Sequence, residues 1–147
     1  MKKEFDVNNL KFRKCKNSDY SLYYKLMTDY IKQTKARDSV NPGDLPEDWK
    51  DVKNKLFIVL NNNEKIGTFL LDNKKSYLYI SRVHIIKKFR NKGIGSYLLK
   101  YFEDKTKKKR LRLHVWPNNP AVRLYKRFGY KVIKEEKNGK LLMEKIK

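Results

Sequence analysis

Polar and apolar residues alternate from Leu10 to Lys16, with Leu10 and Phe12 set among Lys11, Arg13 and Lys14, and this period of two predicts a first strand. Asn17-Ser18-Asp19 then supplies N-cap residues for a helix reaching about Lys35. Its apolar positions Leu22, Leu26 and Tyr30, with Tyr23, Met27 and Ile31 offset, recur at helical spacing. Asp38 to Pro46 reads as a turn-rich connection. Asp44 with Glu47 resembles a capping box, Pro46 suits an early helical position, and a short helix should turn Trp49 and Val52 inward.

Leu56 to Leu60 is an unbroken apolar run of strand length. Polar turns at 61–65 and 72–76 lead into Ile66 to Leu71 and then Tyr77 to Ile86, so three strands with short connections predict an antiparallel meander. The third is expected to run directly into a glycine turn and a helix with Ile94, Leu98, Tyr101 and Phe102 on one face. Leu111, Leu113 and Val115 alternate as the next strand, parallel to the one before the helix if the two are neighbours, which makes a right-handed crossover. Asn118-Asn119-Pro120 caps a last helix carrying Ala121, Leu124, Tyr125 and Phe128, and Gly129 ends it. Tyr130 to Glu135 and Lys140 to Ile146 form a closing hairpin about Asn138-Gly139. The whole predicts an α/β protein with a mixed sheet flanked by helices, one domain over residues 1–147, without repeats or linkers.

Composition adds three constraints. A hydrophobic content of 39% with 13% aromatics argues for a packed core in spite of 36% charged residues. The lone Cys15 excludes a disulfide framework, and His84 and His114 are too few and too isolated for a metal site. No apolar stretch is long enough for a leader or a membrane span, so a soluble, cytoplasmic protein is expected. The net charge of +21 suits polyanions, RNA among them. It suits equally an AT-rich coding bias that favours Lys and Asn, with Ala only at Ala36 and Ala121. The basic run from Lys105 to Arg112 reads as a solvated helix end. Against this background Asp44, Glu47, Asp48 and Asp51 form a concentrated acidic group, either compensating a helix dipole or attracting an amine.

The chemistry concentrates in Arg90-Asn91-Lys92-Gly93-Ile94-Gly95-Ser96. A strand–turn–helix junction leaves backbone N–H groups unpartnered at the helix start, where aligned peptide dipoles favour an anion such as a pyrophosphate. Gly93 and Gly95 remove Cβ atoms that would hold a phosphate away and tolerate positive φ, while Arg90 and Lys92 add charge.

The element order, with Arg90-x-x-Gly93-x-Gly95 after the fourth strand, resembles the GNAT superfamily of acyl-CoA-dependent N-acetyltransferases. Asn118-Asn119-Pro120-Ala121-Val122-Arg123-Leu124-Tyr125-Lys126-Arg127-Phe128-Gly129-Tyr130 is similar to that superfamily's N-x-x-A-x-x-x-Y-x-x-x-G-F/Y segment, and the likeness covers Leu10 to Lys145. The resemblance implies a mostly antiparallel sheet splayed between strands four and five, with acetyl-CoA entering the gap. It implies that Val83 and Ile85 pair with the pantetheine arm, that Arg90, Asn91, Lys92, Gly93, Ile94, Gly95 and Ser96 hold the pyrophosphate, and that Asn118 touches the cofactor. Tyr125 matches the phenol that protonates the departing thiolate, against the alternative of a core aromatic. With an ordinary pKa of about 10, such a phenol is protonated at neutral pH.

The departure lies in the base. Tyr79 and Ser81 stand where many relatives place a Glu. His84 faces the other way in a regular strand unless a bulge reverses the parity, and His114 sits near the gap. Trp116 could line the acceptor pocket or fill core. The activity so implied is acetylation of a primary amine on a small molecule or protein, by a monomer or homodimer. Two alternatives stay open: acetylation of an aminoacyl-tRNA or ribosomal protein, and a silent scaffold that binds nucleic acid.

Overall fold

The computed structural model describes residues 5–34 and 45–147. Seven strands form one sheet: β1 (Leu10–Lys14), β2 (Leu56–Asn61), β3 (Glu64–Asn73), β4 (Leu78–Ile85), β5 (Arg110–Val115), β6 (Lys131–Glu135) and β7 (Leu141–Ile146). Four α-helices among the described residues flank it: α1 (Tyr20–Thr34), α2 (Leu45–Val52), α3 (Ile94–Lys105) and α4 (Ala121–Arg127). The strand order is β1-β2-β3-β4-β5-β7-β6. Neighbours are antiparallel except β4 and β5, the parallel pair joined through α3. Mixed sheet, meander, crossover and closing hairpin are therefore all present. The connection expected over Asp38 to Pro46, the end of α1 at Lys35, and Asp44 lie in or border on the stretch outside the described residues.

Alternation along the strands sorts side chains onto two faces. On one, Val59, Ile66, Phe69, Leu78, Ile80, Leu111 and Leu113 pack with Leu98, Leu99 and Phe102 of α3. On the other, Leu56 and Leu70 pack with Tyr23 and Met27 of α1 and Trp49 and Val52 of α2. β1 ends two residues earlier than its alternation suggests, because the chain folds into a 3-10 turn over Asn17–Asp19. There Asp19 is fully buried and takes hydrogen bonds from Arg13 (2.8 and 3.1 Å) and from the Lys16 N–H (2.7 Å), with Lys65 at 2.6 Å. It joins β1, α1 and β3 rather than serving only as a cap.

Two irregularities shape the middle of the sheet. The β4–β5 ladder pairs only Leu78 with Leu111, Tyr79 with Arg112 and Ile80 with Leu113. Beyond that point β4 stays with β3 and β5 stays with β7 as far as Val115, so the two strands part. Within β4, Arg82 and Val83 together oppose Phe69, since Ser81 pairs with Leu70 and His84 with Thr68. Arg82 sits in the left-handed region at φ 53°, and the buried Thr68 hydroxyl donates to its carbonyl at 2.9 Å. That bulge reverses the parity of every residue after it. β4 also does not run straight into the glycine turn: a 3-10 turn over Lys87–Phe89 intervenes.

Candidate functional site

The parted strands leave a cavity of about 210 Å³. Ser81, Val83 and His84 of β4, His114 of β5 and Tyr125 of α4 line it, with Met27 and Tyr30 of α1 closing one side. Asn119 and Lys140 contribute from the turns beside it. The bulge is what puts His84 here. Its ring lies 4.8 Å from that of Tyr30, and burial, followed by the charges of Arg82 and Arg90, pushes its pKa down to about 4. His84 is therefore a neutral imidazole at pH 7 that accepts a proton poorly.

Tyr125 reaches the cavity because Asn119 and Pro120 start α4 in a defined place. The Asn119 side chain accepts from the Ala121 N–H at 2.9 Å, and Pro120 follows it in helical conformation. Burial, reinforced by the nearby Tyr30, pushes the Tyr125 phenol up to about 12. It holds its proton at any physiological pH. Asn118, by contrast, is exposed in the turn before α4 and does not line the cavity.

At the start of α3, Gly93 is the N-cap at φ 83° and Asn91 is also left-handed at φ 61°. No side chain caps α3, so the first-turn N–H groups of Ile94, Gly95 and Ser96 have no side-chain acceptor. A Cβ on Gly93 would meet nothing within 4 Å, so backbone conformation alone demands glycine there. Gly95 differs from expectation. It has no positive φ, and a Cβ there would come within 2.9 Å of Leu124 Cδ2, so its small size eases a close contact with the end of one side chain of α4. Arg90 Nε donates to the Ile85 carbonyl at 2.9 Å, tying the turn to the end of β4. Lys92 is exposed, its ammonium 6.0 Å from the Phe5 ring, whereas the Ile94 side chain is buried in the core.

Two side-chain networks come from residues far apart in sequence. Arg82 donates to Asp48 at 3.0 Å and to the Tyr23 hydroxyl at 3.2 Å, and Tyr23 donates to Asp48. Asp48 is thereby engaged by Arg82 and does not stand free as part of an acidic surface, while Asp51 is exposed. In the second network the Tyr79 hydroxyl meets His114 Nδ1, and His114 Nε2 lies 3.4 Å from Glu136 Oε1 in the β6–β7 turn. Tyr79 and His114 carried a weak sequence signal and Glu136 none, because only the fold brings them together. Trp116 is buried, with Lys140 5.5 Å from its ring and Gly139 close by, and it packs under the hairpin instead of lining the cavity.

No helix among the described residues is long and apolar enough to cross a membrane. Residues 20–130 match the profile of the acetyltransferase (GNAT) family. Over 80 residues the chain is 36% identical to a probable spermine N(1)-acetyltransferase of Bacillus subtilis subsp. natto, covering 50% of this chain and 53% of that one. A spermine/spermidine N(1)-acetyltransferase of Bacillus subtilis strain 168 matches at 35% over the same length. The chain thus spans about half the length of these curated relatives. Among solved structures, an acetyltransferase from Thermus thermophilus superposes with a TM-score of 0.79 at 16% identity, covering 97% of this chain and 100% of that one. The PaiA N-acetyltransferase of Thermoplasma acidophilum in complex with coenzyme A gives 0.70 at 19% identity, covering 94% and 99%. Profile, fold and the glycine turn ahead of α3 agree, and the chain belongs to the acetyltransferase (GNAT) family.

Proposed function

We propose that this chain, as one catalytic domain, transfers an acetyl group from acetyl-coenzyme A to a primary amine. The observation that carries the reading is the cleft between β4 and β5. Its wall holds a protonated phenol, and the chain leaving β4 leads through a short turn to the glycine N-cap of α3. The residues suit such a ligand. Gly93 supplies a left-handed N-cap with open space at its Cβ position, the first turn has no side-chain cap, and Arg90 and Lys92 add positive charge for a pyrophosphate. Asn91, Ile94, Gly95 and Ser96 complete that turn through their backbone, and Val83 and Ile85 offer backbone groups of β4 beyond its pairing with β5 to the pantetheine amides, the Ile85 carbonyl being shared with Arg90 Nε. Asn118, exposed in the turn before α4, is assigned a contact with the ligand from outside the cavity.

When bound, acetyl-coenzyme A supplies a thioester carbonyl open to attack by nitrogen. The work of the protein is to hold the acceptor in line, to exclude water, and to deliver a proton where sulfur departs. Tyr125 is assigned that delivery, because its raised pKa keeps the phenol protonated at neutral pH and able to donate toward the departing sulfur. The polyamine acetyltransferases that match half of the chain favour an aliphatic amine as acceptor. Calorimetry with coenzyme A and acetyl-coenzyme A, followed by thiol release with an amine panel that includes spermine and spermidine, tests the reading. Binding below about 1 mM and amine-dependent release are expected. No association with either form of the cofactor would overturn it.

A further inference from the structure

We infer that Tyr79, His114 and Glu136 form a proton relay that takes the proton from the acceptor amine. This rests on the acetyl-transfer reading and supplies the base that the absence of a β4 Glu leaves open. The Tyr79 hydroxyl lies against His114 Nδ1, and Glu136 Oε1 is 3.4 Å from His114 Nε2. Tyr79 and His114 both line the cavity that holds Tyr125, Tyr79 from the paired stretch of β4 and His114 from one residue beyond the last β4–β5 pair.

The chemistry follows from which atoms can donate. A carboxylate only accepts, so Glu136 fixes the imidazole with its hydrogen on Nε2 and its lone pair on Nδ1. The Tyr79 O–H then donates to Nδ1, which leaves the phenol oxygen free to accept from an ammonium N–H in the cavity. Burial, with Tyr77 and Glu136, raises the Tyr79 pKa against the opposing charge of Arg82. The phenol is thus no base by itself and needs His114 behind it. The proton leaves nitrogen for the Tyr79 oxygen as the phenol proton moves to Nδ1. The products are a neutral amine, an intact phenol, and an imidazolium facing Glu136. After the C–N bond forms and the C–S bond breaks, nitrogen sheds a second proton. Solvent carries it back to Tyr125, replacing the one given to sulfur. One proton therefore leaves the site per turnover, from His114. Tyr79 touches the substrate, His114 receives the proton, and Glu136 is a positioning residue.

The other charged groups around the relay are cationic, so Glu136 is the group that offsets an imidazolium on His114. Lys134 Nζ lies 3.6 Å from the second Glu136 oxygen, Lys140 lines the same cavity, and Arg82 stands on the Tyr79 side, already engaged by Asp48. His84, held neutral by burial and by two arginines, is the poorer acceptor.

Nitrogen NMR of the imidazoles tests this without any acceptor in hand, since the chain has 2 histidines and His84→Asn assigns them. Neutral His114 is expected as the Nε2–H tautomer. In Tyr79→Phe its Nδ1 resonance should move toward that of a free ring nitrogen. An Nδ1–H tautomer, or an Nδ1 indifferent to Tyr79→Phe, overturns the relay. In kinetics, Tyr79→Phe and His114→Gln should lower amine kcat/KM about 100-fold at pH 7. The loss should shrink toward pH 10, where the amine arrives deprotonated, with coenzyme A affinity unchanged. Glu136→Gln should weaken the preference for the Nε2–H tautomer in the nitrogen spectrum, which loss of packing would not do. Cofactor binding with a loss equal at both pH values overturns the relay alone. No cofactor binding by a protein with the Nε2–H tautomer overturns the acetyl-transfer reading and this use of the network with it.

Discussion

At the scale of single residues, the site depends on what burial does to titratable groups. Tyr125→Phe keeps the ring and removes the hydroxyl, the source of the proton. Turnover should fall about 10- to 100-fold, while coenzyme A affinity from calorimetry changes less than about twofold. An unchanged turnover would remove the phenol from the reaction. Asp19 is the structural counterpart. Burial alone would raise its pKa, but hydrogen bonds from Arg13 and Lys65, the Lys16 N–H and the Arg13 charge outweigh it and hold the carboxyl well below the usual range. A depressed folded-state pKa contributes stability above the unfolded value of about 4 that is lost as pH falls below it. Wild-type stability should therefore drop from about pH 5 downward more steeply than that of Asp19→Asn, as denaturant melts at successive pH values would record. At neutral pH, Asp19→Ala should cost about 2–3 kcal/mol, since its cationic partners are themselves partly exposed. Asp19 was legible in the sequence as a cap and illegible as a buried charge, because Lys65 lies on a different strand.

At the scale of elements, what could be read in advance is what local chemistry dictates. Asn119-Pro120 starts α4 and Gly93 opens α3, each through its own backbone preference. The bulge at Arg82 carries no such mark. Arginine has no preference for positive φ, and the conformation persists because Thr68 accommodates the displaced carbonyl while Asp48 and Tyr23 hold the guanidinium. The same limit hid the parting of β4 from β5, a consequence of pairing between strands that the residues alone reveal only through a family likeness. Gly67 marks the tightest approach in this region. A Cβ there would fall 2.5 Å from the His84 carbonyl oxygen and 2.5 Å from Ile85 Cδ1. Gly67→Ala must push β4 off β3, and a loss of about 2–3 kcal/mol is expected in chemical denaturation. In Gly95→Ala the new methyl meets only the mobile end of Leu124, and better helix propensity offsets the contact, so stability should stay within about 1 kcal/mol of wild type. If the two variants were equally destabilised, crowding at β4 would not be the cause.

At the scale of the whole molecule, the sheet is two sets of strands, β1-β2-β3-β4 and β5-β7-β6. Three parallel pairs join them directly, whereas β5 and β7 share six. α3 also bridges the halves, its Leu98 and Phe102 packing in one core with Ile80 of β4 and Leu113 of β5. A ligand seated in the gap would replace missing ladder bonds with its own amides, so its effect should be sharply placed. Hydrogen exchange is expected to be fast, before binding, at cleft-facing amides of 81–85 and at the start of α3. Coenzyme A should slow it there while leaving β1, β2 and β6 nearly unchanged. The charge of +21 supplies a different, delocalised response. Self-repulsion among exposed lysines is screened by salt at a Debye length of about 8 Å near 0.15 M, so the thermal midpoint should rise with added salt even without ligand. Protection that spread evenly over the sheet, or that salt alone reproduced, would mean that the ligand acts through bulk charge, and the cleft would lose its claim to be where it binds.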